Sequence, residues 1–373
     1  MTDFGDALGR VITDVVAPAA AEVDRAGNFP ISSIQALGDA GILGLTVSEA
    51  AGGGGQGLIQ AAEVIRTVAA ACGSTAMVVL MHYAATAVIE RHGAEEVRKA
   101  IGAGHHLSTL AFSEAGSRSH FWAPLGTALP EPDGSVRLDA HKSWVTAAGQ
   151  ADSYVWSSRP LAAPGPMTLW LVSSSAPGLA PRGAFDGMGL RGNGSTPVDG
   201  SGVVVARDAM LGADGAGLDV ALADVLPWFL VLSAAFSVGL MEAVVAETGA
   251  HLAATRLEHL DQSLAEQPLP RVDHARMRVA TDQAAALLAD TLAALEAGRP
   301  DASLRVLEVK AAAGEAAIAV TELAMKVCGG AAFRKEVPVE RHFRDARAAR
   351  IMAPTTDALL DFIGRAINGL PLL

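Results

Sequence analysis

Cysteine and positive charge are both scarce in this chain of 373 residues. The two cysteines, Cys72 and Cys328, lie in apolar sequence and have the spacing of neither a metal site nor a disulfide framework, so we expect reduced core residues and no bound metal. Lysine and arginine number 28 against 40 acidic residues, which gives a formal net charge of −12. Because a basic surface is missing, we do not expect nucleic acid as a partner.

An export signal and a long apolar run are missing as well. The chain begins Met1-Thr2-Asp3-Phe4-Gly5-Asp6, which is acidic where a secretory signal is basic. The longest uncharged run, 225–241, has about 17 residues and contains Pro227, whereas a membrane span needs about 20. We therefore expect a cytoplasmic protein with no membrane partner, in which this run is a buried helix.

Apolar sequence is abundant, since half of the residues are hydrophobic and only 18% are charged. Such a chain can bury several cores, so we expect two or three domains. From Ala7 to Val16, apolar residues recur at intervals of three and four, which predicts an amphipathic helix that should end at Pro18. Helical periodicity continues over most of the first hundred residues.

Short β-prone segments replace the helical pattern between Leu107 and Leu211, separated by Gly, Pro and Asp turns. They indicate a small β domain, which we expect to be a barrel. Long helical segments resume after Asp219. We therefore predict an α+β fold with an N-terminal all-α domain at 1–106, a middle β domain at 107–212 and a C-terminal four-helix bundle at 213–373.

Three motifs follow one another along the chain. The first is Phe112-Ser113-Glu114-Ala115-Gly116-Ser117-Arg118-Ser119-His120, and the second is Lys142-Ser143-Trp144-Val145-Thr146. The third runs from Val339-Glu340-Arg341-His342-Phe343-Arg344-Asp345 to Ile351-Met352-Ala353-Pro354-Thr355. Together they resemble the motifs of the acyl-CoA dehydrogenase superfamily, and the resemblance covers nearly the whole chain.

This resemblance implies an FAD-dependent oxidoreductase that acts on the CH–CH group of an acyl thioester or a related metabolite. Gly329 and Gly330 are similar to the paired glycines that approach the pyrophosphate of an FAD bound mainly by a neighbouring subunit, which implies a homodimer or homotetramer. The residues implied as FAD contacts are Phe112, Ser113, Ser119, Trp144, Thr146, Arg256, Lys326, Gly329, Gly330 and Thr355.

The catalytic base is the main departure from the family pattern. A dehydrogenase needs a carboxylate that removes the proton α to the thioester carbonyl while hydride leaves the β-carbon. The position at which the family keeps its glutamate is Ala353, and the glycine after it is Pro354. Alanine cannot remove a proton. The catalytic residue is therefore open, and the candidates are His120, Asp224 and Asp357.

Two alternative functions follow from this departure. One is a monooxygenase on the same scaffold that uses reduced flavin from a separate reductase; Pro354 fits that branch, although its usual histidine is here Met352. The other is a partner subunit without a base in a hetero-oligomeric acyl-CoA dehydrogenase. The expected protein partner is accordingly an electron-transfer flavoprotein or a flavin reductase.

Overall fold

The computed structural model of the protein describes residues 4–117 and 120–372. Helices occupy the chain up to Gly102, the strands of two sheets run from Ser108 to Leu211, and helices resume at Gly217. These changes of secondary structure fall close to the predicted domain boundaries. The division into three domains at 106/107 and 212/213 stays a prediction.

The N-terminal region is helical, and α5 is apolar nearly all round because most of its residues are buried. The prediction that Pro18 ends the first helix is wrong. Helix continues through Pro18, because α1, a π-helical turn at Ile12–Val16 and α2 follow one another without a break, and the wider π-helical turn lies directly before the residue that lacks an N–H. The helices are α1 Phe4–Val11, α2 Ala17–Ala26, α3 Ile31–Asp39, α4 Leu58–Ala71, α5 Gly73–His92 and α6 Glu95–Gly102.

The strands form two four-stranded sheets, in the orders β1-β4-β5-β8 and β2-β3-β7-β6. β1 and β4 are parallel, and the other pairs are antiparallel. The indole of Trp156 on β4 packs directly over Gly200 on β7, so the two sheets face each other across a buried core. The strands are β1 Ser108–Ala111, β2 Thr127–Pro130, β3 Val136–Val145, β4 Ser153–Ser158, β5 Thr168–Ser173, β6 Leu179–Pro181, β7 Thr196–Val205 and β8 Met210–Leu211.

The C-terminal region is built around α10, which packs against α9, α11 and α13. The run 225–241 lies at the start of α8 and is almost entirely buried, as predicted from its composition. A short hairpin, β9 Arg256–Leu257 and β10 Gln262–Ser263, connects α8 to α9. The helices are α7 Gly217–Val220, α8 Leu226–Ala254, α9 Pro268–Glu296, α10 Ala302–Phe333, α11 Val339–Ala346, α12 Ala348–Ile351 and α13 Thr356–Ile367.

The chain divides into two compact units. The first unit holds most of the N-terminal helices and both four-stranded sheets, and the second holds the C-terminal helices with the short segments Ile65–Ala76 and Gly187–Leu190. Two helical stretches, Gly217–Ala254 and Ala302–Phe333, are long and apolar enough to cross a membrane by length and composition alone. The most apolar window of the first is 83% buried inside the protein, which is typical of a core helix.

Candidate functional site

Backbone pairing joins the first two sequence motifs. The N–H of Ser143 donates to the carbonyl oxygen of Ser113 at 2.9 Å, and the N–H of Ala115 donates to that of His141 at 3.2 Å. The loop after β1 therefore lies along the end of β3, although about 30 residues separate the two segments in the sequence. Ser113 is thereby held beside the strand that carries Trp144.

Trp144 projects from an irregularity in β3. The register between β3 and β7 shifts between Lys142 and Val145, and Trp144 adopts a left-handed backbone conformation with φ of 57°. A β-bulge re-aims the side chain it contains, and a bulky residue at positive φ persists only where its surroundings impose it. The result is an indole that is 71% exposed near the end of a strand whose residues alternate between buried and exposed.

Thr146 lies just after this exposed indole and is buried. Its Oγ1 is 3.1 Å from the Oγ of Ser195, and the next N–H, that of Ala147, donates to the carbonyl oxygen of Asn193 at 2.9 Å. The loop around Asn193 therefore supports the turn at the end of β3. Ser113, Trp144 and Thr146 together supply two hydroxyl groups and an aromatic face, a set that fits a planar group with polar edges such as a flavin.

Two residues of the first motif, Phe112 and His120, lie against aromatic side chains that follow it in the sequence. Phe112 stacks on Phe121 with ring centroids 6.5 Å apart. His120 meets the ring of Trp122 edge to face at 4.9 Å, and its Nδ1 lies 3.2 Å from the carbonyl oxygen of Ser117. The predicted FAD contact Ser119 falls outside the described residues. A role of His120 as catalytic base and of Phe112 as FAD contact stays a prediction.

The two aspartates proposed as catalytic bases have different surroundings. Asp224 is 4% exposed, and its carboxylate accepts hydrogen bonds from Arg91 at 2.7 Å and from His92 at 2.9 Å. A carboxylate with these partners has an evident structural role in joining α5 to the start of the long C-terminal helix. Asp357 is exposed in the first turn of α13. Neither geometry by itself identifies the base.

The segment around Ala353 is fixed by a lysine that sequence reasoning did not single out. The buried ammonium group of Lys310 on α10 donates to the carbonyl oxygens of Pro354 at 2.8 Å, Met352 at 3.1 Å and Ala349 at 3.4 Å. Burial lowers the pKa of Lys310 from 10.5 to about 7. The only signal for this residue in the sequence is a single lysine within the apolar stretch 309–314.

The predicted FAD contacts of the C-terminal region lie on the hairpin and on α10 and α13. Gly329 interrupts α10 with φ of 51°. A Cβ added at Gly329 or Gly330 would meet nothing within 4 Å, so a phosphate group of a ligand has room to approach the backbone here. The guanidinium of Arg256 donates to the carboxylate of Asp261 at 2.5 Å.

Two further predicted contacts in this region also have partners within the chain. The exposed ammonium of Lys326 donates to Asp273 at 2.7 Å. The Oγ1 of Thr355 accepts from the N–H of Ala358 at 3.3 Å and so caps α13. The pair of Arg256 with Asp261 is exposed on both sides and therefore weak, so Arg256 remains able to contact an anion. Asp273, the partner of Lys326, is buried. Within residues 4–117 and 120–372, no group of three or more His, Cys, Asp or Glu side chains is placed to hold a metal ion.

Comparison with known families gives two matches. The model of the acyl-CoA dehydrogenase N-terminal domain matches residues 2–103, and that of the acyl-CoA dehydrogenase C-terminal domain matches residues 215–368. The chain is also 27% identical over 352 residues to the mitochondrial short-chain specific acyl-CoA dehydrogenase of Bos taurus, an alignment that covers 91% of this chain and 83% of the bovine protein.

Solved structures share the fold over almost the full length. Butyryl-CoA dehydrogenase from Megasphaera elsdenii gives a TM-score of 0.91 at 23% identity and covers 99% of both chains. A structure described as the electron transferring flavoprotein of Acidaminococcus fermentans gives a TM-score of 0.92 at 21% identity, covering 98% of this chain and 96% of that one. These likenesses confirm the predicted α+β fold class, with helices, then sheets, then helices.

Proposed function

Because this chain belongs to the acyl-CoA dehydrogenase family, we propose that it is an FAD-dependent oxidoreductase acting on the CH–CH group of an acyl thioester or a related metabolite. The observation that supports this best is the exposed indole of Trp144, set on a left-handed backbone between the half-buried Ser113 and the buried Thr146. The register shift in β3 and the left-handed backbone turn this indole outward, where a flat aromatic ligand would cover it.

The proposed binding mode assigns a task to each of these side chains. Trp144 covers one edge of the ring system, while Ser113 and Thr146 provide hydroxyl groups that hydrogen-bond to its polar atoms. When bound, FAD supplies the acceptor for the hydride that leaves the substrate β-carbon. Gly329 and Gly330 in the second unit are proposed to lie against the pyrophosphate of an FAD, which supports a homodimer or homotetramer as the functional form.

The α-proton has no evident acceptor at the usual place, since Ala353 carries no ionisable group. This observation favours a second candidate function, a monooxygenase that receives reduced flavin from a reductase and does not need to remove an α-proton. A base-less partner subunit of a hetero-oligomeric dehydrogenase is a third. The dehydrogenase is proposed to pass electrons to an electron-transfer flavoprotein. A cytoplasmic location stays a prediction.

Anaerobic reduction of the purified flavin-loaded protein distinguishes these functions. Straight-chain acyl-CoA thioesters are added in one experiment, and a flavin reductase with reduced nicotinamide in another, followed by oxygen. Loss of the visible flavin absorbance on addition of a thioester supports the dehydrogenase. Oxygen consumption that requires the reductase supports the monooxygenase. A chain that binds little flavin alone and gains it with a second subunit supports the third function.

A further inference from the structure

Glu114 and Lys142 form a buried ion pair next to the exposed Trp144. The two residues are 3% and 1% exposed, and the ammonium nitrogen of Lys142 lies 2.6 Å from a carboxylate oxygen of Glu114. The same nitrogen donates to the carbonyl oxygen of Ser157 at 2.7 Å and to its hydroxyl at 2.9 Å, and it lies 4.9 Å from the centre of the Trp156 ring. The pair therefore joins the loop after β1, strand β3 and strand β4.

The second oxygen of Glu114 holds the far end of the same loop. It accepts the N–H of Leu125 at 2.6 Å and the N–H of Gly126 at 2.9 Å. A Cβ at Gly126 would lie 3.1 Å from the first oxygen of Glu114 and 2.5 Å from the Cβ of Ala140, so only glycine permits this close approach. One carboxylate thus holds Lys142 and the backbone at Leu125 and Gly126 together.

This arrangement connects the two segments that are proposed to hold the flavin. Ser113 directly precedes Glu114, and Trp144 lies two residues after Lys142. The register shift and the left-handed backbone at Trp144 follow Lys142 directly, so the ion pair lies where β3 turns the indole outward.

Stability alone is a poor explanation for such a pair. Removing two charges from water is costly, and apolar residues of similar volume often replace a buried pair without loss of stability. Burial lowers the pKa of the Lys142 ammonium from 10.5 to about 8 even though the adjacent Glu114 opposes that shift. A buried pair of this kind gives conformational specificity, because its hydrogen bonds are satisfied in one arrangement of loop and strand.

We propose that Glu114 and Lys142 are positioning residues, which fix the backbone at Ser113 and the end of β3 around Trp144 in the one arrangement that binds the flavin. The inference rests on the proposed function, because a bound flavin is what the arrangement serves. It is separate from that function, since a flavoprotein could hold its cofactor without this pair.

The test uses the full chain and the variants Glu114→Gln and Lys142→Met, with the double variant Glu114→Gln/Lys142→Met in case a single unpaired charge prevents folding. Asp214→Asn is the matched control. Asp214 also holds a loop of the first unit, because its carboxylate accepts the N–H groups of Leu161, Ala162 and Ala163, each at 2.8 Å. For every protein, the dissociation constant of FAD, the visible spectrum of the bound flavin and the urea midpoint are measured.

We expect each folded Glu114 and Lys142 variant to bind FAD about tenfold more weakly or worse, with a shifted flavin spectrum. The double variant should recover much of the urea midpoint and none of the affinity. Asp214→Asn should lower the midpoint and leave the dissociation constant and the spectrum unchanged. If the Glu114 and Lys142 variants lose only stability, the pair is structural and the inference fails while the proposed function stands. If the unmodified folded protein binds no FAD, both fail.

Discussion

The sheet region and the C-terminal helices each bury a lysine, and they hold it differently. Lys142 faces the carboxylate of Glu114, whereas Lys310 faces the backbone carbonyl oxygens of Ala349, Met352 and Pro354. Burial lowers both pKa values, to about 8 for Lys142 and to about 7 for Lys310. The shift of Lys310 is caused by desolvation, whereas the adjacent Glu114 offsets part of the desolvation of Lys142.

The two lysines also mark where this chain keeps the family pattern and where it departs from it. Lys142 belongs to the motif whose tryptophan and threonine are proposed to contact the flavin. Lys310 fixes the backbone on both sides of position 353, but the side chain there is a methyl group. The sheet region therefore carries the residues proposed to bind the flavin, and the helical region carries Ala353 at the position proposed for the base.

The largest expected effect comes from restoring the base. Ala353→Glu combined with Pro354→Gly places a carboxylate at position 353. The double change keeps the backbone carbonyl of residue 354, to which Lys310 donates. We expect α,β-dehydrogenation of acyl-CoA thioesters to rise by about 10²–10⁴-fold, the usual contribution of a positioned general base. Anaerobic stopped-flow bleaching of the flavin measures the rate.

Ala353→Gln with Pro354→Gly is the control for this change, since it has the same size and no basic carboxylate. Equal rates in the Glu and Gln variants would contradict the account. Rapid bleaching of the unmodified enzyme would show that another residue removes the proton. Replacing Asp224 and Asp357 by Asn and His120 by Ala, one at a time, would then identify that residue.

The next effect concerns the pH dependence of stability. The ammonium of Lys310 loses its proton near pH 7 in the folded protein and near pH 10.5 in the unfolded chain, so the unfolded chain binds more protons between these values. The free energy of unfolding should therefore gain up to about 1.4 kcal/mol per pH unit from this group as the pH rises through that window. Lys310→Met should remove this gain.

Urea unfolding of both proteins at several pH values from 7 to 10 measures the difference. Lys142→Met serves as the comparison. Lys142 keeps its proton to about pH 8, so its contribution to the rise in the free energy of unfolding should begin at a higher pH than that of Lys310. Identical pH profiles for the unmodified protein and Lys310→Met would show that Lys310 is not buried as a titrating group.

Sequence patterns predicted most of the fold, and the reasons for the failures are local. The run 225–241 was predicted as a buried helix because it is apolar over nearly its whole length. Pro18 was misjudged, because the helix continues through it by way of a π-helical turn that lies directly before it. The π-helical turn before it leaves no sequence signal.

The candidate site was predicted only in part, because its geometry depends on contacts between distant segments. The sequence motif identifies Trp144 and Thr146 as candidate flavin contacts. The bulge and the left-handed backbone at Trp144, however, depend on the pairing of β3 with β7. The contacts of Lys310 join residues about 40 positions apart, and those of Glu114 join three segments. Such contacts arise only from the tertiary fold, so no local pattern predicts them.

A smaller effect is expected at Trp144 itself. Trp144→Ala removes the exposed aromatic face and should weaken FAD binding by about fivefold, corresponding to roughly 1 kcal/mol of stacking, with an altered flavin spectrum. Leu129→Ala is the control, because Leu129 is an exposed apolar residue of the same sheet that flanks neither motif. Fluorescence titration with FAD measures both. Equal weakening in the two variants would contradict a specific contact at Trp144.

The central claim is that the sheet region of this chain binds FAD, and equilibrium titration of the purified flavin-free protein with FAD tests it most directly. A cooperative urea transition first establishes that the sample is folded. The account predicts saturable uptake of a single FAD per chain, with a perturbed visible spectrum that changes in Trp144→Ala. A folded protein that takes up no FAD from an excess would contradict it.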